Sequence, residues 1–450
     1  MSSVPRPASD RLPLVGHASP RAPVATRRGE TIDAARFLVD VSRMAQAMPA
    51  ARHVLNACGD RYRFAVTLCA AALRGQLTLL PSTTTPGAIR SLLDFATDAY
   101  CVSDDAACDL DMPRMQFVDG GKRVPADAFD VPGIDAGQAI ACVFTSGSTG
   151  EPQPHYKHWG SLVKDVRGEA TRLGVTSSHT VMGTVPPQHM FGFESTVLMP
   201  LVTGACLVAE RLYYPADIDE AVARAAAPRI LFTTPFHLRA WIEGETTSRV
   251  EAIVSATAPL SVGLAQLAEA RTGATLFELY GCKEAGQVAT RRTAHGADWD
   301  ALEGIRLWVD SRGQAHCAGA HVESPTPLQD IIEPLGDGAR FRLHGRTADL
   351  VNIAGKRSSL GYLNHQLTSI PGVRDGAFYL PDETVDGVTR LMAFVVAPGL
   401  DAAAIVTALR EQVDAAFIPR PVVLVESLPR QLTGKLPREA LRKLAEQAKR

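Results

Sequence analysis

Short apolar runs alternate with amphipathic stretches along most of the chain. The apolar runs at 139–144, 205–209, 229–233, 250–255 and 275–279 have the length of strands. Between them, residues 159–173 place apolar side chains at helical spacing and end at Gly174, a residue suited to a helix C-terminus, and 261–271 is a second helical stretch. This alternation predicts an α/β fold in which helices cover the faces of mixed sheets.

The pattern changes after residue 345. Strands are predicted near 375–380, 391–396 and 422–426, with helices over 402–417 and at the C-terminus. About 100 residues suffice for a separate small domain. We therefore expect a large N-terminal domain over 1–345, a hinge at 346–349 and a small α+β C-terminal domain over 350–450. Residues 1 to about 30 lack periodicity and are expected to form a partly ordered lead-in.

Composition excludes several classes of protein. The chain has 450 residues, 46% hydrophobic, and a formal net charge of -2, so no overall field favours nucleic acid or a membrane surface. The eight cysteines form no C-x-x-C pair, which argues against structural zinc and for a reducing compartment. The longest apolar run, 64–73, is too short to cross a bilayer, and no signal-peptide pattern opens the chain. These features predict a cytoplasmic enzyme.

A run of hydroxyl residues and glycines follows the strand predicted at 139–144. It consists of Thr145, Ser146, Gly147, Ser148, Thr149 and Gly150. Such a run lets backbone N–H groups and hydroxyls converge on phosphate oxygens without bulky side chains in the way. It is not a Walker A loop, because Glu151, Pro152 and Gln153 stand where that motif needs Gly-Lys-Ser/Thr. By itself, the run is equally consistent with an ordinary loop.

Further motifs follow, and together they resemble one family. They are Val-Pro-Pro-Gln-His-Met-Phe-Gly at 185–192, Leu-Tyr-Gly-Cys-Lys-Glu-Ala-Gly at 279–286, Asp330 eight residues before Gly338, Gly-Arg-Thr-Ala-Asp at 345–349, Gly-Lys-Arg at 355–357, and Leu-Pro-Arg-Gln-Leu-Thr-Gly-Lys-Leu-Pro-Arg at 428–438. In this order they resemble the adenylate-forming superfamily of acyl- and aryl-CoA synthetases, peptide-synthetase adenylation domains and luciferases. The resemblance covers roughly residues 50 to 440.

The resemblance implies ATP and Mg2+ as ligands and assigns roles to individual residues. Lys435 would bridge the substrate carboxylate and the α-phosphate, Glu284 would bind Mg2+, and His189 would border the acyl site. The remaining nucleotide contacts would come from Thr145, Ser146, Gly147, Ser148, Thr149, Gly150, Tyr280, Gly281, Asp330 on the ribose and Arg346. After adenylation the mobile C-terminal domain would rotate and bring Arg357 to the phosphate of the incoming thiol carrier. The simpler alternatives are a solvated lysine, a helix-capping glutamate and a hydrogen-bonded buried histidine.

Three positions depart from the family pattern. Gln153 stands where the phosphate loop usually has lysine, so that Lys157 replaces this cation or the cation is absent. Lys283 stands where threonine is usual in the Tyr-Gly-x-Thr-Glu motif, and Ala348 occupies a polar position of the hinge. None of these changes removes the groups needed for adenylation.

The predicted acyl pocket is mostly apolar and aromatic. Its candidates are His189, Phe191, Phe193, Ser255, Ala256, Thr257, Leu279, Tyr280, Gly281 and Cys282. Such a lining suits a flat ring or a short acyl chain.

The sequences around 145–157 and 185–195 resemble one branch, the acyl carrier protein ligases of aryl-polyene and xanthomonadin pigment pathways. That resemblance implies 3-hydroxybenzoate, or a related hydroxybenzoate, as the acid and a phosphopantetheinylated carrier protein as the acceptor.

The C-terminal segment agrees with an acidic carrier protein as the partner. Between 430 and 450 seven basic residues stand against Glu439 and Glu446, and such a patch would steer an acidic partner. A solvated terminal helix would show the same charges. Two other functions stay open: an aryl- or acyl-CoA ligase, and a non-catalytic ATP or AMP sensor that has kept the fold.

Overall fold

The structure is a computed structural model that describes residues 10–119, 129–146, 152–244, 248–346, 350–353, 356–381, 390–431, 434 and 436–448. The strands are β1 Arg11–Pro13, β2 Pro23–Arg27, β3 Glu30–Asp33, β4 His53–Asn56, β5 Leu77–Leu80, β6 Tyr100–Ser103, β7 Arg114–Gln116, β8 Gly133–Asp135, β9 Ala139–Ser146, β10 Pro152–His158, β11 Thr180–Gly183, β12 Cys206–Val208, β13 Arg229–Thr233, β14 Ala252–Ser255, β15 Thr275–Cys282, β16 Gly286–Arg291, β17 Asp298–Ala301, β18 Arg306–Val309, β19 Ala315–Gly319, β20 Val322–Pro327, β21 Asp330–Leu335, β22 Arg340–Arg346, β23 Leu350–Ile353, β24 Lys356–Ser359, β25 Asp375–Tyr379, β26 Met392–Val396 and β27 Val422–Leu424.

The helices alternate with these strands. They are α1 Ala34–Ala47, α2 Arg61–Leu73, α3 Pro86–Phe95, α4 Trp159–Leu173, α5 Met190–Gly192, α6 Met199–Thr203, α7 Pro215–Arg224, α8 Pro235–Glu243, α9 Val262–Thr272, α10 Leu360–Thr368, α11 Ala402–Arg410 and α12 Arg438–Ala448, with a π-helical segment Phe193–Leu198 and a 3-10 turn Ala415–Phe417.

Two large mixed sheets organise the N-terminal part. One runs in the order β10-β9-β5-β4-β6-β7, and the other in the order β21-β22-β17-β16-β15-β14-β13-β11-β12-β2-β3. Helix α2 contacts β4 and β5 of the first sheet and β12 of the second, and it is buried along nearly its whole length. A helix between two sheets has no solvent face, which explains its apolar sequence. The predicted α/β class is confirmed.

A buried arginine opens α2. Arg61 is 1% exposed, and its guanidinium donates to the carbonyl oxygens of Gly183, Val185 and Glu210 at 2.5, 2.6 and 2.8 Å. Its Nε also donates to Thr196 Oγ1 at 3.0 Å. Burial lowers the pKa of Arg61 to about 10, a value at which the side chain is still cationic at neutral pH. Arg61 therefore fixes the chain just before the 185–192 motif.

Several predicted elements match closely, and two differ. Helix α4 covers 159–173 as predicted and ends at Gly174, whose φ is 71°. The predicted helix over 402–417 is too long, because α11 ends at Arg410 and a separate 3-10 turn covers the end of that range. The expectation of a partly ordered lead-in is wrong for residues 10–30, where β2 joins the second sheet through its pairing with β12 and buries Val24 completely.

The C-terminal part has its own small sheet, in the order β25-β26-β27. Helices α10 and α11 pack on it through one apolar cluster, which includes Leu363 and Ile405, and α12 packs through another, which includes Leu441. This is the predicted α+β arrangement. Of the hinge, residues 347–349 with Ala348 lie outside the described residues, so the domain boundaries stay predictions. Close to the predicted hinge, Ser359 Oγ donates a hydrogen bond to the carbonyl oxygen of His344 at 2.6 Å.

The cysteine side chains and the helix lengths bear on the expected cellular environment. All eight cysteines are free thiols, and only Cys108 and Cys282 are partly exposed. Among the described residues, every helix falls short of the length and apolar character that a bilayer span requires. The cytoplasmic location stays a prediction.

Candidate active site

The hairpin of β15 and β16 carries Glu284 in its turn. Strand β15 ends at Cys282, β16 begins at Gly286, and the pairing shifts register between Tyr280 and Gly281. A Cβ on Gly281 would collide with the carbonyl oxygen of Gly286, so the two arms approach too closely for a larger residue. The Glu284 side chain is 30% exposed. The turn therefore presents one accessible carboxylate.

Asp330 contacts this hairpin. Tyr280 Oη donates to Asp330 Oδ2 at 2.8 Å, and the tyrosine ring packs against Trp299 and Phe341 with centroids 5.7 and 5.8 Å away. Burial, and secondly the Asp330 carboxylate, raise the pKa of Tyr280 well above its usual value, so the phenol remains a donor. Asp330 pairs in register with Arg346 across β21 and β22. Three residues predicted to bind the nucleotide, Tyr280, Asp330 and Arg346, are thus brought together.

The acyl-pocket candidates come from neighbouring parallel strands. Strands β13, β14 and β15 run side by side and parallel. Residues 255–257 lie where β14 ends, and residues 279–282 are the part of β15 that extends past its last pair with β14. Both segments are therefore at the carboxyl edge of the parallel strands, the usual place for ligands in such sheets. Thr257 has a left-handed φ of 78°. The ring of Phe191 packs edge to face on Phe232 of β13, with centroids 5.9 Å apart.

Phe193 lies elsewhere than its neighbour Phe191. It is fully buried and packs on Phe64 of α2, with centroids 6.5 Å apart. His189 immediately precedes α5. The structure therefore brings Phe191 to the strands of the predicted pocket and puts Phe193 against the helix between the two sheets.

The hydroxyl-rich run lies where β9 ends. Thr145 and Ser146 are the last residues of β9 and pair with Gln153 and Pro152 of β10. The sequence did not predict β10. Gly147, Ser148, Thr149 and Gly150 lie outside the described residues, so their phosphate contacts stay predictions.

The C-terminal motif approaches the large domain. Lys435 lies outside the described residues, but a Cβ on its neighbour Gly434 would lie 3.7 Å from Thr234 Oγ1 and from Phe236 Cβ, where α8 begins. Arg430 donates to the carbonyl of Gly434 at 2.8 Å and makes two bonds with the Asp375 carboxylate, at 2.6 and 2.7 Å. This fork explains the arginine of the motif: it ties the loop next to Lys435 to β25.

Comparison with known proteins decides the family. A family model described as AMP-binding enzyme matches residues 39–308, and one described as AMP-binding enzyme C-terminal domain matches residues 363–435. The chain belongs to the AMP-binding enzyme family. Members of this family are adenylate-forming enzymes that bind ATP.

Two curated relatives of this AMP-binding enzyme are named for aromatic acids. A 4-coumarate–CoA ligase from Rhodobacter capsulatus is 31% identical over 296 residues, which is 64% of this chain and 71% of the relative. A 4-hydroxybenzoate–CoA/benzoate–CoA ligase from Rhodopseudomonas palustris is 24% identical over 413 residues, 79% of this chain and 76% of the relative. These relatives support an AMP-forming acid–thiol ligase.

Solved structures show the same fold. ATP-bound MatB from Rhodopseudomonas palustris matches with a TM-score of 0.80 at 18% identity, covering 96% of this chain and 97% of that one. The anthranilate CoA ligase AuaEII in complex with anthranoyl-AMP matches with a TM-score of 0.80 at 16% identity, covering 97% and 99%. At this identity the likeness concerns the fold.

Basic side chains that the sequence analysis left without a defined contact surround Glu284 of this AMP-binding enzyme. Lys157 Nζ donates to the carbonyl oxygen of Glu284 at 3.4 Å, and His155 Nε2 lies 3.9 Å from the Glu284 carboxylate. Burial lowers the pKa of His155, Glu284 opposes that shift, and the nearby Lys157 and Lys283 add to it. Side chains alternate between the two faces of a strand, so residues 153, 155 and 157 share one face of β10. This alternation could have shown that His155 and Lys157 point to the same side.

A group of buried acids lies beneath the same turn and was missed by the sequence analysis. Asp165 Oδ2 accepts a hydrogen bond from the backbone N–H of Gln287 at 3.3 Å, and Glu194 accepts one from the Gln287 amide at 2.8 Å. Glu169 accepts one from Ser195 at 2.8 Å. Burial, and then the neighbouring carboxylates, raise the pKa of Asp165 well above its usual value. The signal in the sequence was Glu194 within an apolar run.

The Glu284 carboxylate is placed as a ligand of Mg2+ would be. Among the described residues no group of three or more His, Cys, Asp or Glu side chains is placed to hold a metal ion. Mg2+ bound with a nucleotide needs only one or two protein carboxylates, because phosphate oxygens and water complete the shell. A single accessible carboxylate in the turn meets that requirement.

Proposed function

We propose that this enzyme activates an aromatic carboxylic acid with ATP, with 3-hydroxybenzoate or a related hydroxybenzoate as the substrate, and transfers the acyl group to the phosphopantetheine thiol of an acyl carrier protein. The observation that carries the proposal is the Tyr280–Asp330 hydrogen bond of 2.8 Å beside the Glu284 turn. It joins two motifs of the family at the carboxyl edge of the second sheet, where ligands of such sheets bind.

The proposed chemistry has two steps. In the first, a carboxylate oxygen of the acid attacks the α-phosphorus of ATP, the bond to the β,γ-phosphates breaks, and pyrophosphate leaves. Lys435 places a positive charge where negative charge develops, Asp330 binds the ribose, Arg346 contacts the ribose or phosphate, and His189 borders the acid. Glu284 would hold Mg2+, which neutralises phosphate charge when bound. In the second step, a thiol attacks the acyl carbon and AMP leaves as the thiol proton is released.

The aromatic substrate rests on the pocket and on the relatives. Phe191 contacts Phe232 of β13. Ala256, Leu279 and the partly exposed Cys282 are apolar side chains of the neighbouring strand ends. Flat rings suit such surroundings. The names of two relatives, for 4-coumarate and for 4-hydroxybenzoate and benzoate, point in the same direction.

The acceptor has two candidates. The basic C-terminal segment supports an acidic carrier protein, although Arg442 on α12 pairs with Glu439 and Glu446 at 2.5 and 3.0 Å, and Arg430 pairs with Asp375. These pairs reduce the positive charge available for steering. Coenzyme A is the alternative acceptor, and the relatives named as CoA ligases favour it.

The two parts of the proposal need separate experiments. ATP–pyrophosphate exchange over benzoates, cinnamates and fatty acids tests adenylation, and we expect hydroxybenzoates to give the highest rates. Exchange with fatty acids alone would contradict the aromatic substrate, and no exchange with any acid would favour the nucleotide sensor. With the best acid, CoA, holo carrier protein and the apo carrier protein that lacks the thiol are compared by mass spectrometry. Loading of CoA alone would reject the carrier protein.

A further inference from the structure

Gln287 stands at the base of the turn that carries Glu284. It is the second residue of β16 and pairs with Gly281 of β15, where the pairing skips Val288. Its side chain is buried. A Cβ on Gly281 would lie 2.9 Å from Gln287 Oε1 and 3.2 Å from Gln287 Cα, so the two strands approach closely at this pair. The position of Gln287 therefore sets where the turn begins.

Two buried carboxyl groups hold Gln287. The side-chain amide of Gln287 donates to Glu194 Oε2 at 2.8 Å, and its backbone N–H donates to Asp165 Oδ2 at 3.3 Å. Glu194 is 1% exposed and Asp165 is 2% exposed. A Cβ on the neighbouring Gly286 would collide with Asp165 Oδ2, so the acid fills the space beside the turn. Gln287 is thus fixed through both its backbone and its side chain.

The two acids belong to helical elements that pack on each other. Asp165 is on α4, and Glu194 is in the π-helical segment Phe193–Leu198, directly after the 185–192 motif. Helix α4 contacts both this segment and β16. The hydrogen bond from Gln287 to Glu194 therefore joins the motif predicted to border the acyl site to the turn of the proposed metal ligand. Short π-helical segments occur frequently at functional sites.

Stability alone does not require this pair of polar side chains. A carboxyl group or an amide in the interior is unfavourable unless it is hydrogen-bonded. Replacing both partners of a buried hydrogen bond by apolar groups of similar shape is often nearly neutral. What the polar pair adds is direction, because a hydrogen bond constrains both distance and angle.

We propose that Gln287 is a positioning residue: fixed by Asp165 and Glu194, it holds the turn so that the Glu284 carboxylate is presented to the Mg2+ that accompanies ATP. The inference rests on the proposed function in one respect, that Glu284 binds Mg2+. Outer groups that orient a metal ligand typically contribute about 10- to 100-fold to metal affinity. Gln287 acts through the backbone of the turn, so we expect the lower end of this range.

Calorimetry of ATP binding in Mg2+ and in EDTA tests the proposal. The ratio of the two affinities reports the contribution of the metal without any acid, thiol or turnover. Gln287→Met removes the amide and keeps an unbranched side chain of similar length. A swap variant, Glu194→Gln with Gln287→Glu, exchanges the two groups and keeps an amide–carboxylate hydrogen bond. Gln447→Met, at an exposed glutamine of α12, is the matched control.

We expect the affinity ratio to fall by about 10-fold in Gln287→Met, while the affinity for ATP in EDTA stays within about 2-fold of the wild type, a difference of well under 1 kcal/mol. The swap variant should recover the ratio to within about 3-fold of the wild type. Gln447→Met should have the wild-type ratio, because it changes no group near the turn.

A further variant separates positioning from folding. The double variant Glu194→Met with Gln287→Met leaves neither partner of the bond buried alone, so its free energy of unfolding in urea should be close to that of the wild type, while its affinity ratio should stay low. A wild-type ratio in Gln287→Met or in the double variant would overturn the positioning role. A wild type that binds ATP equally in Mg2+ and in EDTA would reject Glu284 as the metal ligand, and the positioning role with it.

Discussion

Tyr280 donates its phenol proton to Asp330 across a sequence separation of 50 residues, at 2.8 Å. The contact connects the turn that carries Glu284 to the carboxylate predicted to bind ribose. Because burial and Asp330 raise the pKa of the phenol, the tyrosine acts as a fixed donor and orients the carboxylate. Two motifs that are independent in the sequence thus form one site.

Tyr280→Phe should weaken ATP binding about 5-fold, because it removes one hydrogen bond worth about 1 kcal/mol and keeps the ring that packs on Trp299 and Phe341. The KM for ATP in pyrophosphate exchange measures the effect. Tyr362→Phe, at an exposed tyrosine of α10, serves as the control. Equal KM values in the two variants would show that the hydrogen bond does not orient Asp330.

Lys435→Ala should reduce pyrophosphate release by about 100- to 1,000-fold, the usual effect of removing one group that stabilises developing charge. Thioester formation from supplied aryl-AMP should continue in part, since the rotation of the C-terminal domain expected after adenylation withdraws Lys435 before that step. Lys443→Ala, an exposed lysine on α12, removes the same charge elsewhere. Normal adenylation by Lys435→Ala would show that this lysine is not the catalytic one.

Arg430→Lys should lower kcat for adenylation about 10-fold, with little change in the KM for ATP. Lysine keeps the charge but cannot bind Asp375 with a planar fork while also donating to the carbonyl of Gly434, so the loop of Lys435 loses its support. Arg442→Lys is the matched control, because exposed pairs contribute at most about 1 kcal/mol. A change in KM alone would place Arg430 in nucleotide binding instead.

Glu169→Gln should change how stability depends on pH. Burial raises the pKa of Glu169 to about 8 in the folded protein, from an ordinary value of 4.5. The folded state therefore holds a proton that the unfolded state releases between these values, and wild-type stability falls by roughly 1 kcal/mol per pH unit across that window. Glutamine can accept from Ser195 without titrating.

Urea denaturation of wild type and Glu169→Gln at pH 5, 6, 7 and 8 measures this difference. The variant should gain stability relative to the wild type at each step towards pH 8. Ser42→Ala, at an exposed position on α1, should follow the wild-type pH dependence. A difference between wild type and Glu169→Gln that is constant over the four pH values would contradict a raised pKa.

The sequence pattern predicted the elements whose apolar face and end signals lie within their own residues. Helix α4 was predicted to the residue because its apolar face and its terminal glycine lie within the same 16 positions. Strand β2 was missed, since it has few apolar residues and is defined by pairing with β12, far along the chain. The end of α11 was missed for a similar reason: the apolar pattern continues into Phe417, and packing rather than periodicity separates the two parts.

The amino-acid sequence by itself determined the family, the α/β class and the residue types of the nucleotide site, because each motif is a short run whose chemistry can be read without its neighbours. The tertiary structure alone decided which groups meet: Lys283 with the Phe144 carbonyl, Gln287 with the buried acids, Gly434 with the start of α8. These contacts join residues far apart in the chain. Their distances depend on strand order and packing, which no local pattern encodes.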